Sequence, residues 1–304
     1  MTDLDRLFRA GFGAVRAADL LDAGLTRRDV RRLHDSSTVA RLRHGWYADP
    51  WTVDPQVREA VAAGGVLTCV SALAKRGIWT PPHHAVHLRR SEHHTSAPAR
   101  NVHSDWVHRH WVDEPATRSV DSIGVALRAA LRCVDPEHLV AILDSVLQQT
   151  THTRESLADL LADGPQSTRA LLDRCDGRAE SGTESLVRFR LTARNVRVRS
   201  QVAIAGVGRV DFLIGRRLVI EVDSRAHHTS DAAYRRDRRR DRKLVRLGYL
   251  VIRITYEEVM YDWADVEDDV MAIVRRGDHL RKPGHRGRPR GRHSNTRQIH
   301  GRSA

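Results

Sequence analysis

The sequence predicts an α+β protein with several domains. A chain of 304 residues is long enough for two or more domains that each bury a core. Apolar residues follow helical spacing in much of the first half, whereas runs with the apolar pattern of strands follow residue 195. After residue 277 almost nothing is apolar, which predicts a disordered basic tail over 278–304.

The charge of the chain indicates a polyanionic partner. The net charge is +13 and the pI is near 10.7, so nucleic acid is the expected ligand. Eight of the basic residues and no acid follow residue 280, which leaves +5 on residues 1–280. Within the tail, 286–292 resembles an AT-hook that would lay Arg288 and Arg290 into the minor groove of A/T-rich DNA. The alternative is an unspecific cationic tail that raises DNA affinity.

The cysteines and the apolar pattern indicate a cytoplasmic protein. The three cysteines Cys69, Cys133 and Cys175 are odd in number and lack CxxC spacing, so neither a disulfide framework nor a zinc ribbon is predicted. No apolar run reaches the roughly 18 residues of a membrane span, and no basic segment followed by an apolar core begins the sequence. We therefore expect a reducing compartment and no membrane partner.

Residues 3–50 predict two short helices followed by a hairpin, the pattern of a winged helix-turn-helix. Thr26 is placed to cap a second helix over 27–34, and the chain turns again near Gly45. The apolar positions of the first helix are Val15, Ala18, Leu21 and Leu25. The second helix would present Arg27, Arg28 and Arg31 to phosphates or base edges. A solvated amphipathic helical hairpin is the alternative.

Residues 55–176 predict a mixed α/β connecting domain. Helices are expected over 56–63, 70–76, 122–132 and 139–148, and a strand over 85–88. Eight histidines lie between His83 and His110, which suggests a metal site. Because neither an HExxH motif nor paired cysteines accompany them, solvated loop histidines are the favoured interpretation.

Residues 180–277 predict a helix followed by three strands, a helix and a strand. Ser181 and Glu184 have the spacing of a capping box, and 196–204 alternates like a half-buried strand. The segments 210–214 and 218–223 are apolar on both faces, as in central strands. A helix over 232–247 and a strand over 249–255 follow.

The loop between the two central strands decides where their acids lie. If residues 215–217 form it, Ile214 faces Leu218, and Asp211 lies opposite Glu221 with Cβ atoms about 5 Å apart. A one-residue change in loop length would make this pair diagonal. Asp223 shares the face of Glu221 and supplies a third carboxylate.

Facing carboxylates in apolar strands require compensation by a divalent cation or a shared proton. The alternative is that they are hydrated at strand ends or paired with Arg209 or Arg225. In the following helix, Asp237 is expected to point toward the sheet and support the site. Arg238 and Arg239 lie on other faces, where they would grip the DNA backbone or remain solvated.

This order of motifs resembles the very-short-patch-repair-like endonuclease domains of the PD-(D/E)XK superfamily. The motifs are Arg209-Val210-Asp211-Phe212, Glu221-Val222-Asp223-Ser224-Arg225 with His228, and 236–241 with 247–254. The resemblance implies a restriction-endonuclease-like α/β/α domain with a mixed sheet. It also implies that Asp211 and Glu221 bind Mg²⁺ or Mn²⁺, that Glu184 adds an outer ligand, and that His228 assists proton transfer. Asp223 occupies the position of the superfamily lysine, which puts water activation in question.

Residues 5–49 resemble the winged-helix domain of AbiEi-type abortive-infection antitoxins, on the segments 19–25 and 42–47. This resemblance implies autoregulatory DNA binding, and it admits a homodimer and a cognate toxin as partners. Two functions follow from the whole sequence. One is a Mg²⁺-dependent endonuclease that engages DNA, and the other is a non-catalytic DNA-binding regulator that retains an inactive nuclease fold. A nuclease directed at RNA is a third.

Overall fold

The computed structural model describes residues 2–90, 107–109, 114–223 and 231–284, with only the backbone for 107–109 and 231–237. Helices and strands follow each other along the whole of this part, so the predicted α+β class is confirmed. The strands form two three-stranded sheets and one four-stranded sheet. The four-stranded sheet lies in the C-terminal region and carries the facing acids.

The N-terminal unit consists of α1 (Asp3–Ala10), β1 (Ala14–Arg16), α2 (Ala17–Asp22), α3 (Arg27–Asp35), β2 (Ala40–Arg43) and β3 (Trp46–Ala48). The predicted second helix and hairpin correspond to α3 and to β2 with β3. Thr26 caps α3 and forms a capping box with Asp29. Val15 does not belong to the first helix as predicted, because its backbone pairs with β3 and makes β1 a third strand. The order of elements agrees with the predicted unit, and its classification as a winged helix stays a prediction.

The middle region consists of α4 (Pro55–Ala62), β4 (Gly65–Leu67), α5 (Cys69–Lys75), β5 (Leu88–Arg90), β6 (Val107–Arg109), α6 (Ile123–Ala130), α7 (Pro136–Gln149), α8 (Arg154–Leu160) and α9 (Ser167–Asp173). The strand predicted at 85–88 begins at its last residue, because pairing with β4 starts at Leu88. β5 is antiparallel to β4 and parallel to β6. The apolar faces of α4 to α7 form the largest core, which also takes in Trp46 of the N-terminal sheet.

The C-terminal region consists of α10 (Gly182–Ala193), β7 (Val198–Ile204), β8 (Gly208–Ile214), β9 (Leu218–Asp223), α11 (Asp231–Arg246), β10 (Leu250–Thr255), α12 (Tyr256–Tyr261) and α13 (Trp263–Arg275). The strand order is β10-β9-β8-β7, with β10 parallel to β9 and the other pairs antiparallel. One face of this mixed sheet packs against α10, α12 and α13, whereas Leu244 of α11 packs against the other. The predicted α/β/α layering and mixed sheet are therefore present.

The loop that decides the register has the predicted length. Ile214 pairs with Leu218, and two further pairs lead back to Phe212 opposite Ile220. Gly215 has a φ of 61°, which is the left-handed conformation that glycine adopts without strain. The register that brings Asp211 toward Glu221 is thus confirmed.

The alternation predicted over 196–204 does not persist along β7. Val196 and Val198 pack into the core beneath α10, whereas Val202 and Ile204 pack on the opposite face with Leu244. The change occurs at Gln201, whose φ of 54° is left-handed. A strand that reverses its faces in this way has no single buried side, because the period of two is interrupted.

Residues of the middle region pack against the first helix of the C-terminal region. Asp144 of α7 is 1% exposed, and its Oδ2 accepts hydrogen bonds from Ser185 Oγ and Arg188 Nη2 of α10, both at 2.7 Å. Trp79 covers Gly182, the first residue of α10, so closely that a Cβ there would lie 2.1 Å from the indole. The N-terminal half of α10 is therefore fixed by residues outside the predicted 180–277 domain.

The tail predicted to be disordered from residue 278 has an ordered beginning. A 3-10 turn spans Asp278–Leu280, and the carbonyl of His279 accepts a hydrogen bond of 2.7 Å from the backbone N–H of Arg216. Residues 285–304, with Arg288, Arg290 and the AT-hook-like segment, lie outside the described residues.

Arg89 of β5 and Asp121 form a buried ion pair in the middle region. Two hydrogen bonds of 2.9 and 2.8 Å run from Nε and Nη2 of the guanidinium to the two carboxylate oxygens, and both side chains are 5% exposed. Breaking such a pair leaves a buried charge without its counter-ion.

We expect Asp121→Ala to lower the free energy of unfolding by about 3–5 kcal/mol, measured by urea denaturation, because the buried Arg89 then loses its partner. Asp35→Ala is the matched control. Its ion pair with Arg31, in which Oδ2 and Nε are 3.9 Å apart, is exposed and should contribute less than about 1 kcal/mol to the free energy of unfolding. Equal losses in the two variants would contradict the assignment.

Candidate active site

One row across the four-stranded sheet consists of polar residues. β9 and β10 pair Glu221 with Arg253. The last pair between β8 and β9 joins Phe212 to Ile220. The next position along the two strands therefore places Asp211 beside Glu221. β7 and β8 pair on both sides of Gln201, which places Gln201 beside Asp211. The row thus runs Gln201, Asp211, Glu221 and Arg253 in strand order.

Asp211 is anchored where the ladder between β8 and β9 ends. Its Oδ2 accepts a hydrogen bond of 2.8 Å from the backbone N–H of Val222. This hydrogen bond to the main chain of β9 fixes the orientation of the Asp211 side chain. Burial raises the pKa of the Asp211 carboxyl, and the hydrogen bond from Val222 opposes this shift.

Glu221 is the most strongly perturbed acid of the row. Burial first and the charge of Asp211 second raise its pKa to about 7. Arg240 Nη2, from α11, lies 2.9 Å from Glu221 Oε1 and forms an ion pair with it. Among the described residues this buried Oε1 has the ion pair with Arg240 but no well-aligned hydrogen bond. A buried anionic oxygen in this state is suited to a cation.

Glu184 lies at the start of α10 and is buried. Its carboxylate accepts hydrogen bonds from the backbone N–H of Glu180 at 3.0 Å, Ser181 Oγ at 3.0 Å and Gln201 Nε2 at 2.8 Å. Burial raises its pKa, and these donors act in the opposite direction. Glu184 therefore ties the helix start to the polar row, and its role as an outer metal ligand stays a prediction.

Gln201 is a site residue that the sequence did not reveal. Its left-handed backbone turns its amide toward Glu184 of α10, while its strand position lies beside Asp211. A non-glycine residue at positive φ is strained, and such strain clusters at functional sites. The one feature of the sequence that could have indicated this role is a long polar side chain within the predicted strand 196–204.

Asp223 and Arg253 form an ion pair at the end of β9. Arg253 Nη1 lies 3.1 Å from Asp223 Oδ1, and its Nη2 lies 2.7 Å from Asp241 of α11. Asp223 occupies the position predicted for the superfamily lysine, and the structure supplies a cation there from the neighbouring strand. Arg253 was not predicted, although a charged residue inside the apolar run 250–254 was the available signal.

The arginines nearest the acids differ from those predicted to pair with them. Arg209 pairs with Glu180, not with an acid of the row, and Arg225 lies outside the described residues. Arg240 also donates to the carbonyl of Arg209, so it links α11 to β8. Arg238 and Arg239 are exposed, as expected for DNA contacts or for a solvated face.

The remaining predicted residues fall into two groups. Arg27, Arg28 and Arg31 lie exposed on α3. His228 lies outside the described residues, and only the backbone of Asp237 is described, within α11.

The described residues contain no helix with both the length and the apolarity needed to cross a membrane. The longest helix among the described residues is α11, which has 16 residues and consists mostly of arginine and aspartate.

Residues 183–274 match the model of a restriction-endonuclease-like family, REase_MTES_1575. This segment begins at α10 and ends in α13, so it contains the whole polar row and the helix that carries Glu184. The C-terminal region is therefore a nuclease-like domain, as the sequence predicted.

Two uncharacterized proteins of Mycobacterium tuberculosis, from strains CDC 1551 and H37Rv, are similar to this chain. Each is 32% identical over 131 residues, which is 40% of this chain and 48% of the relative. The chain thus spans about half the length of the curated relatives it matches. Neither name states an activity that bears on the site.

Domains of this restriction-endonuclease-like kind commonly use Mg²⁺. The residues present fit such an ion, because Asp211 and Glu221 offer hard carboxylate oxygens and the buried Glu221 Oε1 is paired with Arg240 without a well-aligned hydrogen bond among the described residues. The two acids would hold the cation, while Glu184 and Gln201 position the row.

The raised pKa of Glu221 predicts how stability depends on pH in the presence of EDTA. Because its folded pKa of about 7 exceeds the ordinary value of 4.5, the stability linked to its proton is complete below pH 4.5 and is lost as the pH rises through about 7. Between about pH 5 and about pH 8 the wild-type protein should lose more free energy of unfolding than Glu221→Gln.

Urea denaturation at the two pH values measures this difference. Asp268→Asn, an exposed acid on α13, is the control and should follow the wild type. Parallel losses in the wild type and Glu221→Gln would contradict the raised pKa.

Proposed function

We propose that the chain is a DNA-binding protein whose C-terminal domain is a Mg²⁺-dependent endodeoxyribonuclease that also accepts Mn²⁺. The observation that carries this proposal is the convergence of Asp211 and Glu221 on one row of a nuclease-like sheet. A bound divalent cation would neutralise charge on the scissile phosphate and lower the pKa of the attacking water. Its ligands in the proposal are the carboxylates of Asp211 and Glu221.

The surrounding residues have separate roles in the proposal. Gln201 and Glu184 hold the row against α10 through their hydrogen bond of 2.8 Å. Arg240 neutralises Glu221 when no cation is bound, and it can turn to a phosphate oxygen when one is. Asp223 is paired with Arg253, so Asp223 does not add an isolated charge to the site. His228 is proposed to position water or move a proton.

Three observations on the N-terminal unit support DNA engagement. Its elements follow the order expected of a winged helix, α3 presents Arg27, Arg28 and Arg31 to solvent, and its capped start fixes their direction. Arg238 and Arg239 on α11, and Arg288 and Arg290 in the tail, would add phosphate contacts. We also propose that the N-terminal unit is antitoxin-like and that the chain can form a homodimer or bind a cognate toxin. The proposed domains span residues 3–50, 55–176 and 180–277.

Asp211→Asn and Glu221→Gln should each reduce plasmid cleavage in Mg²⁺ or Mn²⁺ by about 100-fold or more, because each removes a charge from the cation ligands. Gel assays of cleavage rate measure the effect, and Asp268→Asn should retain the wild-type rate.

Cleavage unaffected by both substitutions would end the catalytic proposal. Retained DNA binding without cleavage in the wild type would favour the regulator with an inactive fold, and stronger competition by RNA than by DNA would redirect the substrate.

Replacement of Arg27, Arg28 and Arg31 by alanine should weaken duplex binding in EDTA and make it less sensitive to salt. Each lost phosphate contact lowers the slope of log affinity against log salt by about 0.9. Fluorescence anisotropy at several salt concentrations measures this slope. Arg169→Ala, an exposed arginine on α9, is the matched control, and an equal change in both proteins would refute contact through α3.

A further inference from the structure

The middle region brings together two cysteines and a histidine from three distant segments. Cys69 begins α5, His87 immediately precedes β5, and Cys133 follows α6. One ligand atom from each, two Sγ and an imidazole nitrogen, lie within 4.8 Å of one another. His87 and His83 belong to the histidine-rich segment that suggested a metal site, whereas Cys69 and Cys133 were not connected with it, because they share no short spacing with each other or with His87.

The distances fit a tetrahedral metal. Zn²⁺ with Zn–S bonds of about 2.3 Å and Zn–N bonds of about 2.0–2.1 Å places a sulfur and a nitrogen ligand about 3.5 Å apart. His87 Nδ1 lies 3.5 Å from Cys133 Sγ. Cys69 is fully buried and His87 is 6% exposed, so these ligands are screened from water.

The backbone holds the ligands in place. The N–H of His87 donates to Ser71 Oγ at 3.0 Å, and its carbonyl accepts from the N–H of Thr68 at 2.9 Å. Cys69 itself has a φ of 52°, a left-handed conformation that is strained for a residue with a side chain. The segment before β5 is thereby fastened to the start of α5, where the Cys69 thiol faces the other two ligands.

His83 is placed to complete the coordination. Its ring lies edge to face with His87, with centroids 5.8 Å apart. His83 Nδ1 lies 3.1 Å from the carbonyl of Pro81, which can only accept, so Nδ1 carries the proton and Nε2 keeps its lone pair. A backbone carbonyl that fixes the tautomer in this way is the usual outer support of a metal-binding histidine. His83 stands outside the 4.8 Å cluster, so it would approach by a movement of its loop.

A second group of possible ligands, Asp135, Glu137 and His138, is better explained without a metal. Asp135 caps α7, Arg190 binds both oxygens of Glu137 at 2.7 Å, and His138 stacks on Trp79. Thiolate and imidazole ligands, in contrast, are those that select zinc among the divalent cations.

We propose that Cys69, His87 and Cys133 bind one structural Zn²⁺, with His83 as the fourth ligand. The ion would join the β4–α5 junction, the segment before β5 and the α6–α7 turn into one unit. This site is separate from the Mg²⁺ site of the nuclease-like domain, so the two proposals stand or fall independently.

The test is the metal content of the full-length, untagged protein purified without chelators. We expect about one Zn²⁺ per chain in the wild type and less than about a tenth in Cys69→Ser and Cys133→Ser. Cys175→Ser is the matched control, because Cys175 is a buried free thiol of the same region outside the cluster, and it should retain the ion.

Cobalt exchange keeps the proposal testable if a serine variant fails to fold. Wild-type protein loaded with Co²⁺ should show the intense near-ultraviolet thiolate-to-cobalt band and the visible bands of tetrahedral cobalt, and a zinc chelator should lower the melting temperature of the zinc form. His83→Gln should weaken Zn²⁺ binding without abolishing it. Wild-type protein that holds neither Zn²⁺ nor Co²⁺ would overturn the proposal, and so would a Cys69–Cys133 disulfide found by mass spectrometry.

Discussion

The C-terminal domain is organised around the repulsion between two carboxylates that its sheet register forces together. The loop of residues 215–217 fixes Ile214 opposite Leu218, and the same register brings Asp211 to Glu221. Both acids lie among strands that are apolar on their two faces, and because Glu221 is buried and Asp211 half-buried, water screens their charges poorly. The domain must therefore supply charge, protons or hydrogen bonds to these two groups.

The neighbouring elements supply that compensation in layers. A main-chain amide of β9 binds Asp211, and guanidinium groups from α11 and β10 approach Glu221 and Asp223. On the outer side, Gln201 connects the row to Glu184, which the start of α10 already surrounds with donors. The balance is incomplete at Glu221, where burial and the charge of Asp211 still raise the pKa to about 7. This residual imbalance is the physical reason to place a cation at this point.

Sequence reasoning found the acids because strand periodicity and loop length are local properties. Asp211, Glu221 and the hairpin between them lie within eleven consecutive residues, so counting pairs along the two strands was sufficient. Three site residues were missed. The role of Gln201 depends on its left-handed backbone, that of Arg240 on the rotation of α11 about its axis, and that of Arg253 on the parallel pairing of β10 with β9. None of these can be read from spacing alone. Cys69 and Cys133 were not connected with His87 for the same reason, since these three side chains meet only through tertiary packing.

The buried contact of Asp144 with Arg188, together with Trp79 over Gly182, limits how modular this chain can be. The first helix of the nuclease-like fold uses a carboxylate and an indole from the preceding region as parts of its own core. Recombination that moved residues 180–277 alone into another protein would leave a buried guanidinium without its counter-ion and an apolar helix face uncovered. Inheritance of the two regions as one block is the evolutionary outcome that this packing favours.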